Sequence, residues 1–302
     1  MLCRIKPVWK IVRFWPCYFL AFLVIAGIKY RYSSVDVELL GWILAPTAWW
    51  AGILTGEGFP WQAGVGYVSV PYQFVIANTC SGIQFMMIVI AALVFGFVHQ
   101  MGTLRKAMAW TIGSIAGSYL FTVFVNGVRI ACAIFLPRRL HLLPGVPAIL
   151  SSGWLTPDRL HTVIGIVVYF ASLLFIYEMA GAVLGRRGIV GGGGKAGMAG
   201  ASGTRESGNK QSEKPKPGTT KNSSLLVPDE SEKPGNSGIW VPVFWYFFIV
   251  LGIPFLNRAY ERRPEAFTEY AVLLGIVCTG VLAVYWVLKR GRRRSRDSSR
   301  NI

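Results

Sequence analysis

The sequence predicts an all-α polytopic membrane protein, a helical bundle of about six or seven transmembrane helices with a small extracytoplasmic loop domain. Hydrophobic residues make up 53% of the chain and charged residues only 15%, whereas a soluble domain carries about 25% charged residues. The apolar residues are gathered into long runs that short basic segments separate. This is the pattern of helices that cross a lipid bilayer.

The distribution of charge limits the possible functions. The formal net charge is +17, but the lysines and arginines lie beside the ends of apolar runs and in the two tails, as the positive-inside rule describes. We therefore expect no nucleic-acid partner. The five cysteines lack metal-ligand spacing and the chain has only three histidines, which argues against a zinc site and against a disulfide framework.

The first two apolar runs are Phe14–Ile28 and Leu39–Leu54. Basic residues precede the first run and no small-residue cleavage site follows it, so we predict an uncleaved anchor rather than a signal peptide. The second run is shorter than the roughly 20 residues that a comfortable crossing needs, and it contains Pro46. We predict a re-entrant or interfacial segment here rather than a full crossing.

The middle of the chain contains a loop that is followed by further predicted spans. Residues 55–79 are rich in glycine and proline, and the alternating piece Tyr67–Val70 favours a small hairpin within an extramembrane loop. Spans follow over Ile83–Val98 and Met108–Val125. Another span, which carries His161 in its first turn, begins at Thr156-Pro157-Asp158, where an N-capping threonine, a first-turn proline and an acidic residue form a helix-start signal.

Composition divides the chain into four parts. Residues 185–238 are of low complexity and almost lack aromatic residues, so they cannot bury enough apolar area to offset the entropy of ordering. Beyond them lie two more predicted spans, Trp240–Leu256 and Tyr270–Leu288. We assign a membrane core to residues 1–184, a disordered cytoplasmic linker to 185–238, a transmembrane hairpin to 239–290 and a basic cytoplasmic tail to 291–302.

The charges also predict the side on which each helix end lies. Counting spans backwards from the basic C-terminal tail places Cys80, Arg129 and His161 together on the extracytoplasmic side. Counting forwards from the basic N-terminus gives the same answer only if Leu39–Leu54 does not cross. The alternatives are that this segment re-enters, which we favour, or that the N-terminus lies outside despite its charges.

Cys80 is a candidate nucleophile because of its location. It lies where a polar loop meets an apolar helix, after Asn78-Thr79, so first-turn N–H groups and the helix dipole would favour the thiolate. A cysteine in such a protein is more often a small hydrophobic residue. That is how we interpret the other four, which are Cys3, Cys17, Cys132 and Cys278.

Arg129 and His161 are the other two candidate residues of the predicted site. Arg129 is set within apolar sequence, where an ionised residue usually faces a partner or a cavity, and Asn126 lies one turn earlier on the same helix face. Its guanidinium could bind a developing oxyanion, although an arginine that snorkels to the interface is a common alternative. A neutral His161 could exchange protons with a thiol and a leaving amine, or could be an ordinary interfacial histidine.

These residues resemble the motifs of a known family. The likeness to the exosortase/archaeosortase family lies in three segments and covers roughly residues 14–184: Asn78–Ile83, Asn126–Ile130, and His161 with Gly165. Gln84-Phe85 and the compact loop before the cysteine are most similar to the exosortase K branch. The linker and the final hairpin lie outside the resemblance.

The resemblance implies a membrane cysteine transpeptidase that sorts proteins in the inner (plasma) membrane of bacteria. Such an enzyme cleaves C-terminal sorting signals of exported proteins on the extracytoplasmic side, through a thioester. Cys80 would be the nucleophile, Arg129 would stabilise the oxyanion, and His161 would be the general acid and base. Beside them we expect the substrate-binding residues Ser81, Gly82 and Asn126. The implied partners are exported proteins with a hydrophobic C-terminal tail, a cell-surface acceptor and membrane lipid, with no cofactor and no metal.

Two other functions compete with this one. The first is a non-enzymatic scaffold or transporter in which Cys80 is incidental, although transporters usually show internal repeats or charges at the membrane midplane, and we find neither in the sequence. The second is a membrane cysteine protease that only hydrolyses, so that water resolves the thioester. The sequence does not separate hydrolysis from transpeptidation.

Overall fold

The computed structural model describes residues 13–33, 37–140, 156–192, 239–258, 261 and 264–298. Most of them are helical, and one small sheet interrupts the helices. The chain forms two compact units, one comprising residues 1–180 with 237–302 and the other residues 181–236. The described part of the second unit is the end of one long helix.

The helices and their short extensions follow one another along the chain. The α-helices are α1 Trp15–Ser33, α2 Gly41–Thr55, α3 Ile83–Phe97, α4 Leu104–Leu140, α5 Pro157–Gly192, α6 Trp240–Phe247, α7 Ile253–Leu256 and α8 Pro264–Ser298. Three 3₁₀ turns cover Val37–Leu40, Asn78–Cys80 and Val98–Gln100, and a π-helical turn, Phe248–Gly252, joins α6 to α7.

Within the described part of the chain, five helical segments are long and apolar enough to cross a membrane. They are Val37–Thr55, Asn78–Gln100, Leu104–Pro137, Arg159–Gly185 and Pro264–Gly291. An all-α membrane protein is therefore confirmed at this level, while the count of six or seven spans stays a prediction. Of the other predicted spans, Trp240–Leu256 forms a shorter apolar helix, and the first lies within α1.

The central helix of the bundle is α3. It packs against α1, α4 and α6, and 89% of its apolar window is buried inside the protein. The buried part of the apolar window is 44% for Arg159–Gly185 and 11% for Pro264–Gly291. A helix that is apolar on all sides is stable in the centre of a bundle, whereas the exposed apolar faces of the outer helices suit contact with lipid.

The segment predicted to re-enter the membrane is one helix that does not reverse. Helix α2 continues through Pro46, so the reversal that a re-entrant segment needs is not seen, and that form of the prediction is wrong. Instead, α1 and α2 both run in the same direction as α4, one after the other along its length. The successive contacts are Cys17 with Met108 at 3.4 Å, Trp42 with Tyr119 at 5.7 Å between ring centroids, and Trp50 with Phe124 at 5.5 Å.

Helix α4 is long enough to pack alongside both α1 and α2. Its 37 residues extend about 55 Å, against a hydrocarbon core of about 30 Å. Helix α2 thus continues in the direction in which α1 runs and does not return to the end of the bundle where α1 starts.

Basic residues lie at the end of the bundle opposite Cys80. Arg105 and Lys106 stand at the start of α4, near the carboxyl end of α3, where Trp110 Nε1 donates to the Leu93 carbonyl at 3.2 Å. On α8, Lys289 pairs with Glu178 of α5 at 2.9 Å. The preceding residue of α5, Tyr177, packs against Phe97 at the end of α3, which places this ion pair at the same end.

A small antiparallel sheet precedes the cysteine. Strands β1 Trp61–Gln62, β2 Gly66–Ser69 and β3 Phe74–Ile76 pair in the order β1-β2-β3, and β2 overlaps the predicted alternating piece Tyr67–Val70. The Tyr72 hydroxyl donates to the Thr55 carbonyl at 3.1 Å, which ties the sheet to the end of α2. Strand β3 is followed, through Ala77, by the 3₁₀ turn that carries Cys80.

The C-terminal helices belong to the same compact unit as α1–α4. Gln84 Nε2 donates to the Ile249 carbonyl of the π turn at 3.3 Å. That carbonyl needs an outside donor because Pro254, five residues later, has no N–H for a π-helical bond. Helix α5 continues beyond the predicted span end at Leu184, and the rest of the predicted linker, 193–238, lies outside the described residues.

Gly127→Ala is expected to lower the melting temperature of the purified protein in detergent. A Cβ at residue 127 would overlap the indole ring of Trp50, and overpacking of this kind costs about 1–3 kcal/mol. Gly117→Ala, on the same helix with open space around its Cβ, is the matched control and should melt at or slightly above the wild-type temperature, because alanine favours helix. Equal melting temperatures for the two variants would contradict close packing of α2 on α4.

Candidate active site

Cys80 is held in a turn just before α3. It ends the 3₁₀ turn Asn78–Cys80, and α3 begins only at Ile83, so the prediction that the cysteine starts the apolar helix is corrected by a few residues. Gly82 turns the chain with φ +71, and a Cβ there would lie 3.0 Å from Thr122 and 3.2 Å from Asn126. Both the left-handed conformation and the approach of α4 therefore require glycine.

The surroundings of Cys80 differ from those of other buried cysteines. Cys80 is 4% exposed, while Cys17 and Cys278 are 0% and 1% exposed, so burial alone does not distinguish it. It lies near the Arg129 guanidinium, and its carbonyl accepts from Asn126, one turn before Arg129, at 2.5 Å. The thiolate is the form of a cysteine that attacks carbonyl carbons.

Arg129 is buried between α4 and α5. It is 7% exposed; Nη1 donates to the Tyr169 hydroxyl at 3.3 Å, and Nη2 donates to His161 Nε2 at 3.0 Å. The guanidinium carbon also lies 5.1 Å from the centroid of the Tyr169 ring. Charge in an apolar bundle is costly unless it is paired, and here hydrogen bonds and a cation–π contact stabilise it.

The contact with Arg129 fixes the tautomer of His161. A guanidinium only donates hydrogen bonds, so His161 Nε2 accepts and the neutral ring carries its proton on Nδ1. The residue is half-buried in the first turn of α5, where the Arg159 N–H donates to Thr156 Oγ1 at 3.3 Å, so the structure agrees with the predicted helix-start signal. The ring lies 5.9 Å from that of Phe74, which brings strand β3 to the site.

The Nε group of Arg129 is unsatisfied. This nitrogen is buried and has no hydrogen-bond partner among the residues that the structure describes. A Cβ on Gly165 would lie 2.9 Å from this Nε, so glycine at this position lets the guanidinium lie directly against α5. An unsatisfied buried donor costs about 1–3 kcal/mol, and an acceptor oxygen from a ligand would remove that cost.

The three residues predicted to bind substrate are buried around the turn, and their role in substrate binding stays a prediction. Asn126 is fully buried; its Nδ2 donates to the Cys80 carbonyl at 2.5 Å and its Oδ1 accepts from the Tyr169 hydroxyl at 2.7 Å. Ser81 is 2% exposed, and its Oγ accepts from the Ile83 N–H at 3.5 Å. Together with Gly82, these residues position Cys80, and in this arrangement they present no surface to a substrate.

Sequence reasoning missed Tyr169, which contacts two of the candidate residues. It lies on α5 eight residues after His161, so both share one helix face, just as Asn126 and Arg129 share a face of α4. The spacing of Tyr169 from His161 was the sequence signal that could have identified it. The structure brings Cys80, Arg129 and His161 together at one end of the bundle, with Arg129 hydrogen-bonded to His161 and near Cys80.

The C-terminal helices close one side of the site. Tyr246 of α6 and Tyr270 of α8 are close enough to Arg129 to interact with it electrostatically. The Tyr246 ring lies 4.9 Å from that of Phe170, and Arg159 pairs with Glu269 at 2.5 Å. Residues outside the family resemblance thus surround the same arginine.

Comparison of the chain with models of known protein families, with curated proteins and with solved structures finds no match. Within the described ranges, no group of three or more His, Cys, Asp or Glu residues could hold a metal ion. The function is therefore argued from the geometry of the site.

Gly165→Ala is expected to slow the reaction of Cys80 with a small neutral thiol reagent. The added methyl group would displace Arg129 from its position beside Gly165 and so weaken its interaction with the thiol. Gly185→Ala, on the same helix with nothing near its Cβ, is the control and should react like the wild type. Both rates are measured by mass spectrometry on protein whose only cysteine is Cys80. Identical rates for the two variants would show that the space at Gly165 does not matter to the site.

Proposed function

We propose that this protein is a membrane cysteine transpeptidase that cleaves C-terminal sorting signals of exported proteins on the extracytoplasmic side of the cell's inner (plasma) membrane. The observation that supports the proposal most is the position of Arg129, a buried cation that donates a hydrogen bond to His161 and lies near Cys80, whose carbonyl is held by Asn126 one turn earlier on the same helix. Acyl transfer needs a nucleophile, a group that transfers protons and a hydrogen-bond donor to the oxyanion. Here these three groups come from three separate elements.

The first half of the reaction forms a thioester. The Cys80 thiol gives its proton to His161 Nε2, which must first separate from Arg129 Nη2, and the sulfur attacks the scissile carbonyl carbon. The carbonyl electron pair moves onto oxygen, which accepts hydrogen bonds from Arg129. When the oxyanion collapses, the C–N bond breaks and the departing amine takes the proton from His161. The sorting signal leaves and the exported protein remains on Cys80.

The second half releases the protein. A nucleophilic group of a cell-surface acceptor attacks the thioester carbonyl and gives its proton to His161. The C–S bond then breaks, the Cys80 sulfur leaves as the thiolate, and the proton returns to it. If water attacks instead, the product is a free carboxylate. The chemistry requires no cofactor.

The charges of the bundle support an orientation in which Cys80 faces outward. Arg105, Lys106 and Lys289 lie at the end opposite Cys80, and basic residues of membrane proteins collect on the cytoplasmic side. The candidate site then faces outward, where a sorting signal with a hydrophobic tail would emerge after export. The direction of α2 supports this orientation because both chain ends then lie inside.

Cys80→Ala and Cys80→Ser are expected to abolish the processing of exported proteins that carry a hydrophobic C-terminal tail. Removal of a nucleophile lowers the rate by at least about a thousandfold, and Arg129→Gln should lower it about a hundredfold or more. Cys17→Ala, at the other end of the bundle, is the control. The measurement is the C-terminal peptide of each tailed protein, detected by mass spectrometry in cells that express each variant.

Three results separate the alternatives. A scaffold or transporter would tolerate the Cys80, Arg129 and His161 substitutions with unchanged processing, which would refute the proposal. Processed proteins that end in a free carboxylate would point to hydrolysis. An added mass on the new C-terminus, lost in Cys80→Ala cells, would point to transpeptidation and would supply the acceptor's mass.

A membrane-impermeant maleimide should label Val70→Cys in intact cells and Arg105→Cys only after the membrane is opened. Val70, beside the sheet that precedes the site, is 77% exposed, so it reports the side of the membrane without depending on access to the buried thiol. Both variants are made in a cysteine-free chain. Labelling in the opposite order would place the candidate site on the cytoplasmic side and would rule out exported substrates.

A further inference from the structure

The hydroxyl group of Tyr169 joins the two polar residues of α4. It lies 2.7 Å from Asn126 Oδ1 and 3.3 Å from Arg129 Nη1. Asn126 in turn contacts the Cys80 carbonyl through Nδ2 at 2.5 Å. A hydrogen-bond chain therefore runs from the guanidinium of Arg129 through Tyr169 and Asn126 to the backbone of Cys80.

The direction of each bond in this chain is fixed by donor chemistry. Arg129 can only donate, so the Tyr169 oxygen accepts from it and the Tyr169 proton goes to Asn126 Oδ1. With its oxygen turned to Tyr169, the Asn126 amide presents its NH₂ group to the Cys80 carbonyl. One hydroxyl group thus sets both the rotation of the amide and the position of one guanidinium arm.

Tyr169 is itself held by α3. Its ring stacks on Phe85, with 4.6 Å between the ring centroids and an interplanar angle of 11°, and Phe85 is 1% exposed. Arg129 also makes a cation–π contact with Tyr169, with its guanidinium carbon 5.1 Å from the centroid of the ring. The side chain therefore connects α3, α4 and α5 at the level of the candidate site.

We propose that Tyr169 is a positioning residue of this site, which holds Arg129 with Nε beside Gly165 and, through Asn126, fixes the backbone of Cys80. With Nη1 held by Tyr169 and Nη2 bonded to His161, the unpartnered Nε is one donor that a substrate oxygen could meet. The role in catalysis rests on the proposed function, whereas its effect on Cys80 can be measured without any substrate.

The test is the pH dependence of the reaction of Cys80 with methyl methanethiosulfonate, a small neutral reagent that reacts with thiolates. The full-length protein in detergent carries alanine in place of Cys3, Cys17, Cys132 and Cys278. Tyr169→Phe keeps the stacked ring and removes the hydroxyl group. Tyr177→Phe is the matched control, because Tyr177 is a buried tyrosine eight residues further along the same helix face.

In Tyr169→Phe the rate at neutral pH should fall about tenfold, the usual effect of one lost hydrogen bond to a charged group. The loss should appear across the whole pH range, because the hydroxyl group no longer holds the guanidinium or, through Asn126, the backbone of Cys80. Tyr177→Phe should give the wild-type curve. Added to Arg129→Gln, the Tyr169→Phe change should have little further effect, since Tyr169 acts through the guanidinium.

Other results would overturn the proposal. A Tyr169→Phe curve that superimposes on the wild type, or a faster reaction at every pH, would show that the hydroxyl group only fills space. An equal loss in Tyr177→Phe would show a general packing effect. If Arg129→Gln itself leaves the curve unchanged, the cysteine–arginine pairing of the proposed function fails. If only Arg129→Gln changes the curve, the proposed function stands and the role of Tyr169 does not.

Discussion

Burial of the Arg129 guanidinium is the constraint on which the arrangement around the candidate site depends. A charge inside an apolar bundle is stable only if its donors are occupied and its neighbours approach closely. His161 and Tyr169 of α5 take two of its nitrogens, and Cys80 approaches from the turn before α3. Gly82 and Gly165 lack the side chains that would hold α4 away from that turn and α5 away from the guanidinium. The same requirement therefore determines both the helix packing and the position of the thiol.

The sequence was informative about the class of fold and about three of the residues that meet. Long apolar runs and basic flanks predict membrane helices because each helix satisfies its own backbone, and a charged residue within an apolar run predicts a buried partner. Local patterns could not show which faces meet across helices. The contacts of Tyr169 with Asn126 and Arg129 were missed for that reason, and so was the full burial of Asn126, whose part in substrate binding stays a prediction. The direction of α2 depends on its ring contacts with α4, which no local signal encodes.

The C-terminal helices link the site to a part of the chain that the family resemblance does not cover. Pro254 leaves the Ile249 carbonyl without a helical donor, and Gln84, four residues after Cys80, supplies one. Tyr246 and Tyr270 add polar groups near Arg129. The helix that follows the cysteine is thus packed on one side by residues that lie far away in the sequence. In this arrangement the C-terminal helices are part of the environment of the candidate site.

The central claim is that Cys80 carries a substrate as a thioester, and a trapped adduct tests it most directly. Protein purified from cells that export a tailed substrate would be digested and its Cys80 peptide analysed by mass spectrometry, with and without neutral hydroxylamine. The account predicts an adduct on Cys80 that ends at the cleavage point of the substrate and that hydroxylamine removes. Continued cleavage of the substrate with no adduct on Cys80, or with the adduct on another residue, would contradict it.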